Sequence, residues 1–362
     1  MKLTAFLFVL LFISQTWGQT EQEKNPLSIG LRSQYGYIMN HSESMEYITG
    51  QHFAAFEVYF EKSTTGTKEW QREYNLPKWG VAFYHAQVNE YFGSISTVHP
   101  YISFPIIKNK ALDLDFRLGG GLGYVSKIFD AEDNFKNTAI GTHLNSTFSF
   151  MLDAQFNITD PLKLHTSIAF THFSNSSFTL PNLGINIPTI GLGLTYHFGD
   201  TKDLKTEKPP LFNRKEQPWT FLIRASMGIN ETYAAVDKKF YAGSFSFLAQ
   251  KQTSRKSKWG TEVNVFHNPA LNKELRDLGK KTKGGIGITQ IGFGPSHTLT
   301  IDKFGLYFQA GAYIHSKNKE SGVLFQRVGG VYQFTDKISG HLLLKTHLTV
   351  AEYLEFGIGY TL

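Results

Sequence analysis

The 362-residue chain is 41% hydrophobic, 15% aromatic and only 18% charged, which excludes a disordered or collagen-like polymer. Its 31 Phe, 17 Tyr and 33 Gly favour strands and tight turns over helices, and the absence of Cys removes disulfides, thiolate nucleophiles, Fe–S clusters and Cys-based zinc sites. The net charge of +6 is scattered along the chain, which argues against a nucleic-acid partner and suits a solvated surface facing anionic lipid.

Met1 and Lys2 give a short positive start, residues 5–13 form an apolar run, and Thr16 and Gly18 put small residues before a cut ahead of Gln19. Residues 1–18 therefore read as a signal peptide, because the apolar run is well short of the roughly 20 residues a spanning helix needs. No Cys follows the cut, so a lipoprotein is excluded.

Alternation with a period of two then predicts strands near 28–39, 52–62, 78–88, 96–106, 111–124, 144–157, 162–174 and 186–198. In 162–174, Leu162, Leu164, Ile168 and Phe170 fall on one face and Lys163, His165, Ser167 and Thr171 on the other. Thirteen residues at about 3.3 Å each, tilted about 45°, rise roughly 30 Å, which matches a bilayer's apolar core. Soluble strands usually stop at about five or six residues. The chain closes on Phe356, Ile358, Tyr360 and Leu362, another alternating apolar strand. These features predict an all-β, antiparallel outer-membrane barrel. From a periplasmic start, the turns at 107–110 and 158–161 lie inside, and the longer loops 40–51, 125–143 and 175–185 lie outside. The connection 63–77 is long for an inner turn, and alternation gives no reason for it.

The stretch beginning Ile158-Thr159-Asp160 aligns with Phe334-Thr335-Asp336, and Lys78-Trp79-Gly80 with Lys258-Trp259-Gly260, so the chain reads as two copies of one unit. The expected organisation is a signal peptide (1–18), a first barrel unit (19–199), a linker carrying Pro209-Pro210 (200–218) and a second unit (219–362). Each unit accommodates about eight strands, the size at which side chains fill a barrel. Two tandem eight-stranded barrels are the first expectation, and one barrel of about sixteen strands is the alternative.

His172 and Ser174 sit two apart at the outer end of the seventh strand, on the lipid face of Ile168 and Phe170. Asn186 opens the next strand, where antiparallel pairing returns it toward His172. Ser beside His beside a side-chain acceptor is the arrangement for acyl transfer. On spacing alone, the same residues also fit the wet end of a barrel strand. Glu57, Asp113, Asp115, Arg117, Lys163 and His165 face the interior, where paired charges commonly fill a small barrel. His85, His99 and His143 lack metal-ligand spacing. No metal or cofactor is expected.

The run His172-Phe173-Ser174-Asn175, followed by Pro181-Asn182-Leu183-Gly184, resembles the outer-membrane lipid A 3-O-deacylases (PagL-type, acyloxyacyl-hydrolase-like) over the first half of the chain. The resemblance implies an eight-stranded barrel that removes an ester-linked acyl chain from lipopolysaccharide or a similar outer-leaflet lipid, without cofactor. It implies Ser174 as nucleophile, His172 as base, Asn186 as orienting residue and oxyanion stabilisation around Asn175 and Asn182. The best-known members have Glu where this chain has Asn186. The expected partners are lipopolysaccharide or another acylated lipid and the outer membrane, and a homodimer is compatible with them. In the second unit, His347 falls on the polar face with His341 and Lys345, and Thr349 replaces the Ser, so that unit reads as non-catalytic. The alternative function is a non-catalytic barrel with a structural or binding role.

Overall fold

Within each of two groups of eight, every strand pairs antiparallel with the next and the last pairs back with the first, so alternation becomes an inside and an outside rather than two faces of an open sheet. A computed structural model describes residues 27–109, 112–199, 204–233, 238–280, 285–318, 322–348 and 350–362. The expected leader at 1–18 and Thr349 lie outside the described residues. Strands β1 (Leu27–Tyr37), β2 (His52–Ser63), β3 (Lys78–Asn89), β4 (Gly93–Lys108), β5 (Leu112–Val125), β6 (Leu144–Asn157), β7 (Leu162–Ser174) and β8 (Ile185–Phe198) close one antiparallel barrel. A second closes from β9 (Trp219–Glu231), β10 (Lys239–Ser254), β11 (Ser257–His267), β12 (Thr289–Ile301), β13 (Phe304–His315), β14 (Leu324–Gln333), β15 (Ile338–His347) and β16 (Val350–Thr361). The sixteen-stranded alternative is thereby overturned: β8 completes its hydrogen bonding on β1, with Leu27 opposite Phe198, and leaves no edge for β9.

Polarity is the reverse of a soluble sandwich. Ile168 on β7 is 66% exposed and lies opposite Ile190, which is 62% exposed, whereas His165, Ser167 and Asp153 are buried inside. Such an outer wall is at home in hydrocarbon. Exposed Trp79, Tyr196, Trp219, Trp259 and Tyr360 ring the inner end of the two barrels, and exposed Tyr35, Tyr124 and Tyr241 stand near the outer end, as interfacial aromatics do.

The interiors are filled, not open. In the first barrel, Glu57 accepts from Arg32 at 2.6 Å and from Arg117 at 2.8 Å, and Arg32 also reaches Asp153 at 2.9 Å. His165 joins Asp153 at 2.9 Å, Lys78 meets Asp115 at 2.9 Å, and Lys163 meets Asp113 at 2.5 Å. Gly121 leaves room for His99, whose Cα would lie 2.7 Å from an added Cβ. Toward the outer end the lumen turns apolar, and Met45, Ile48 and Ile140 from the loops pack with Phe53, Val125 and Phe173. The second barrel repeats the ionic device, with Arg327 bonded to Glu355 at 2.7 Å and 3.3 Å from Glu262. His341 and Lys345 are buried inside it, and His347 accompanies them, its Nε2 hydrogen-bonded to Tyr313 OH at 2.9 Å.

The long 63–77 connection acquires a reason. It carries a short helix, α1 (Glu69–Glu73), that docks on the inner turns of the second barrel. Tyr74 OH donates to Thr300 O at 2.9 Å, Lys68 pairs with Asp302 at 3.0 Å, and Arg255 pairs with Glu69 at 2.5 Å. Burial pushes the Tyr74 phenol up. At the opposite end, the 175–185 loop meets Glu231, Lys239 and Ala351 of the second barrel. The two barrels therefore stand side by side with the same ends up. The outer connection 268–288 of the second barrel carries a further helix, α2 (Ala270–Asp277).

Candidate active site

Strand parity positions the candidate residues. Phe173, fully buried, points inward and anchors the end of β7, so His172 and Ser174 on either side of it point outward. Register completes the row: His172 lies opposite Phe148 on β6 and opposite Asn186 on β8. Below His172, the outer wall carries Phe170, Phe150, Ile168, Ile190 and Leu152, an apolar surface continuous with the membrane.

His172 Nδ1 donates to Asn186 Oδ1 at 2.6 Å. That bond fixes the ring with its proton on Nδ1 and leaves Nε2 as the basic nitrogen. Asn186 is itself oriented, because its Nδ2 donates to His41 Nδ1 at 3.2 Å, while His41 Nε2 donates to Leu183 O at 3.0 Å. The amide therefore has one sense that satisfies both histidines. Gly184 supplies space on the other side: at φ +86°, a Cβ there would lie 2.7 Å from His172 Cε1.

Ser174 Oγ accepts from Asn182 Nδ2 at 3.0 Å and from Ser176 N–H at 3.0 Å. Among the described residues, no hydrogen bond joins it to His172. Asn182 Oδ1 accepts from Asn175 N–H at 3.0 Å, which ties the loop back to the strand end. The Asn175 side chain is committed elsewhere: its Nδ2 donates to Thr179 O at 2.8 Å and to Thr142 Oγ1 at 3.1 Å. Asn182 thus carries the side-chain N–H nearest the Ser174 hydroxyl, and Asn175 organises the loop that presents it. Ser176 and Ser177 have φ of 57° and 62°, left-handed backbone that costs a side-chain-bearing residue about 1–3 kcal/mol each and persists where surrounding bonds impose it. Sequence reasoning missed His41, since a histidine from a different loop leaves no periodic trace.

Two family models match this chain. One, described as lipid A 3-O-deacylase (PagL), covers residues 54–195, and the other, described as acyloxyacyl hydrolase, C-terminal domain, covers 219–362. Residues 54–195 thus belong with the lipid A 3-O-deacylase (PagL) family, and residues 219–362 with the acyloxyacyl hydrolase C-terminal domain. The matched family is one of acyl-ester hydrolases, and together with two closed barrels of apolar outer wall the match makes this an outer-membrane protein. The PagL model takes in His172, Ser174, Asn175, Asn182 and Asn186, while His41 lies before its start. Among solved structures, the chain is similar to the outer membrane enzyme PagL, at 14% identity and TM-score 0.32, over 45% of this chain and 97% of that one. It is also similar to Ail, the attachment invasion locus protein of Yersinia pestis (16% identity, TM-score 0.29, 48% and 99% covered). A mutant Rh. blastica porin matches at 9% identity and TM-score 0.18, with 93% and 99% covered. No curated protein matches the chain.

Proposed function

We propose that this protein is an outer-membrane serine esterase that removes an ester-linked acyl chain from lipid A or a similar outer-leaflet lipid. The observation that carries the reading is the 2.6 Å bond from His172 to Asn186, which leaves a basic Nε2 on the same outward face as the Ser174 hydroxyl. Ser174 Oγ turns from Asn182 toward His172, gives its proton to Nε2 and attacks the ester carbonyl carbon. The Asn182 amide and the Ser176 N–H, released from Oγ, are the donors nearest the oxyanion that forms. His172 then passes the proton to the departing sugar oxygen, which breaks the ester C–O bond and leaves the acyl group on Ser174. A water, deprotonated by His172, releases the fatty acid and restores the hydroxyl. Asn186 keeps the tautomer but brings no charge to the imidazolium. The apolar wall below His172 suits a substrate whose acyl chain lies in the membrane.

The Ser174 Oγ bonds to Asn182 and Ser176 favour a second reading, a non-catalytic barrel in which these groups merely close a strand end. Fatty-acid release from purified lipopolysaccharide, by the refolded protein in detergent, separates the two. Release abolished by Ser174→Ala supports the esterase. No release from a folded wild-type barrel across several acylated lipids leaves the non-catalytic reading.

A further inference from the structure

The loop that follows Ser174 is held from outside its own barrel. Glu231, at the end of β9 and 5% exposed, accepts from Leu180 N–H through Oε2 at 2.7 Å, and its own N–H donates to Ser177 O at 2.9 Å. Lys239, at the start of β10, donates to Phe178 O and to Thr179 Oγ1, each at 2.7 Å, and pairs with Glu231 at 3.5 Å. Ser177 Oγ donates to Ala351 O at 2.7 Å at the start of β16. The second barrel thus grips four consecutive residues, 177–180. This segment lies between Ser176 and Asn182, whose N–H groups bond to Ser174 Oγ.

A buried carboxylate needs its hydrogen bonds, so Glu231 is committed to this position. The consecutive left-handed residues Ser176 and Ser177 are a conformation that the loop's own sequence does not favour, and the bonds to Glu231 and Ala351 fall on Ser177 itself. We propose that the second barrel is a brace for the active-site loop, with Glu231 and Lys239 as positioning residues that act through the 177–180 main chain on Asn182 and the Ser176 N–H. The proposal rests on the esterase reading above. It gives the second barrel a task that needs no catalytic residue of its own.

The test uses the full chain refolded in detergent and two readouts, hydrogen exchange of the 175–182 segment and the kinetics of fatty-acid release from lipopolysaccharide. Glu231→Ala is expected to speed exchange in that segment at least tenfold and to lower kcat about tenfold with KM changed less than twofold. Glu231→Gln retains an oxygen for Leu180 N–H and is expected to restore both readouts to within about twofold of wild type. Lys239→Met, which removes the contacts to Phe178 and Thr179, moves both in the same direction as Glu231→Ala and serves where that variant fails to fold. Lys68→Ala, at the opposite end of the barrels, leaves both unchanged. Exchange unaltered in Glu231→Ala and Lys239→Met overturns the brace, as does faster exchange with unaltered kcat. Ser174→Ala in the same series judges the esterase reading separately: continued release overturns that reading, while the exchange arm still reports on the brace.

Discussion

Asn186 accepts the Nδ1 proton of His172 at 2.6 Å, an amide oxygen at the position where the sequence resemblance leads one to expect a carboxylate. The exchange preserves orientation and gives up charge. A carboxylate-to-amide change in a serine triad costs about 10⁴ in rate. Asn186→Glu is therefore expected to raise kcat by about tenfold or more, and Asn186→Leu, which leaves Nδ1 without an acceptor, to lower it by about 10². Steady-state release of fatty acid from lipopolysaccharide checks both, and an Asn186→Leu variant as fast as wild type would remove Asn186 from the site.

His41 matters because an amide has two ends. Its Nδ1 takes the Asn186 Nδ2 proton at 3.2 Å, which keeps Oδ1 toward His172. His41→Ala is expected to cost about 1 kcal/mol, a fall of about fivefold in kcat/KM. In an Asn186→Glu background the same substitution is expected to cost less than twofold, since either carboxylate oxygen can accept from His172. A double-mutant cycle measures the difference, and additive effects would contradict the orienting role.

Gly184 packs closely against His172, the proposed base. A methyl group there would sit 2.7 Å from His172 Cε1, on backbone at φ +86° that disfavours a side chain. Gly184→Ala is expected to reduce release at least tenfold while the barrel remains closed. Heat-modifiable gel mobility reports closure alongside the assay.

Much of this architecture was legible in advance. Strands β6 and β7 have the expected bounds, because both faces alternate to the last residue and Asp160-Pro161 marks the turn between them. β4 runs further than expected, from Gly93 to Lys108, since Ser94 and Ser96 carry no hydrophobic alternation and the pairing of Asn89 with Gly93 is set by turn geometry. The outward pointing of His172 and Ser174 followed from parity alone, and antiparallel register brought Asn186 opposite His172. What did not show were contacts between loops far apart in the chain. His41 reaches Asn186 across 145 residues, Glu231 reaches Leu180 across 51, and α1 docks on turns more than 180 residues away. Such contacts depend on how two closed barrels stand together, which no period within either one encodes.

Buried and exposed ion pairs in this molecule are expected to differ sharply in worth. Glu57 is 2% exposed and holds both Arg32 and Arg117, so Glu57→Ala leaves two guanidinium groups short of a partner inside the first barrel. Breaking a buried pair in this way costs about 3–5 kcal/mol, mostly from the uncompensated charge left behind. Lys68 and Asp302 join the barrels at the inner end with side chains 62% and 42% exposed, a setting in which solvent screening leaves about 0–1 kcal/mol. Urea unfolding of the first barrel in lipid vesicles, followed by the fluorescence of Trp79→Phe and Trp70→Phe variants to assign the signal, should show a large drop in midpoint for Glu57→Ala and almost none for Lys68→Ala. Equal, small effects of the two substitutions would mean that water reaches the Glu57 network and screens its ion pairs.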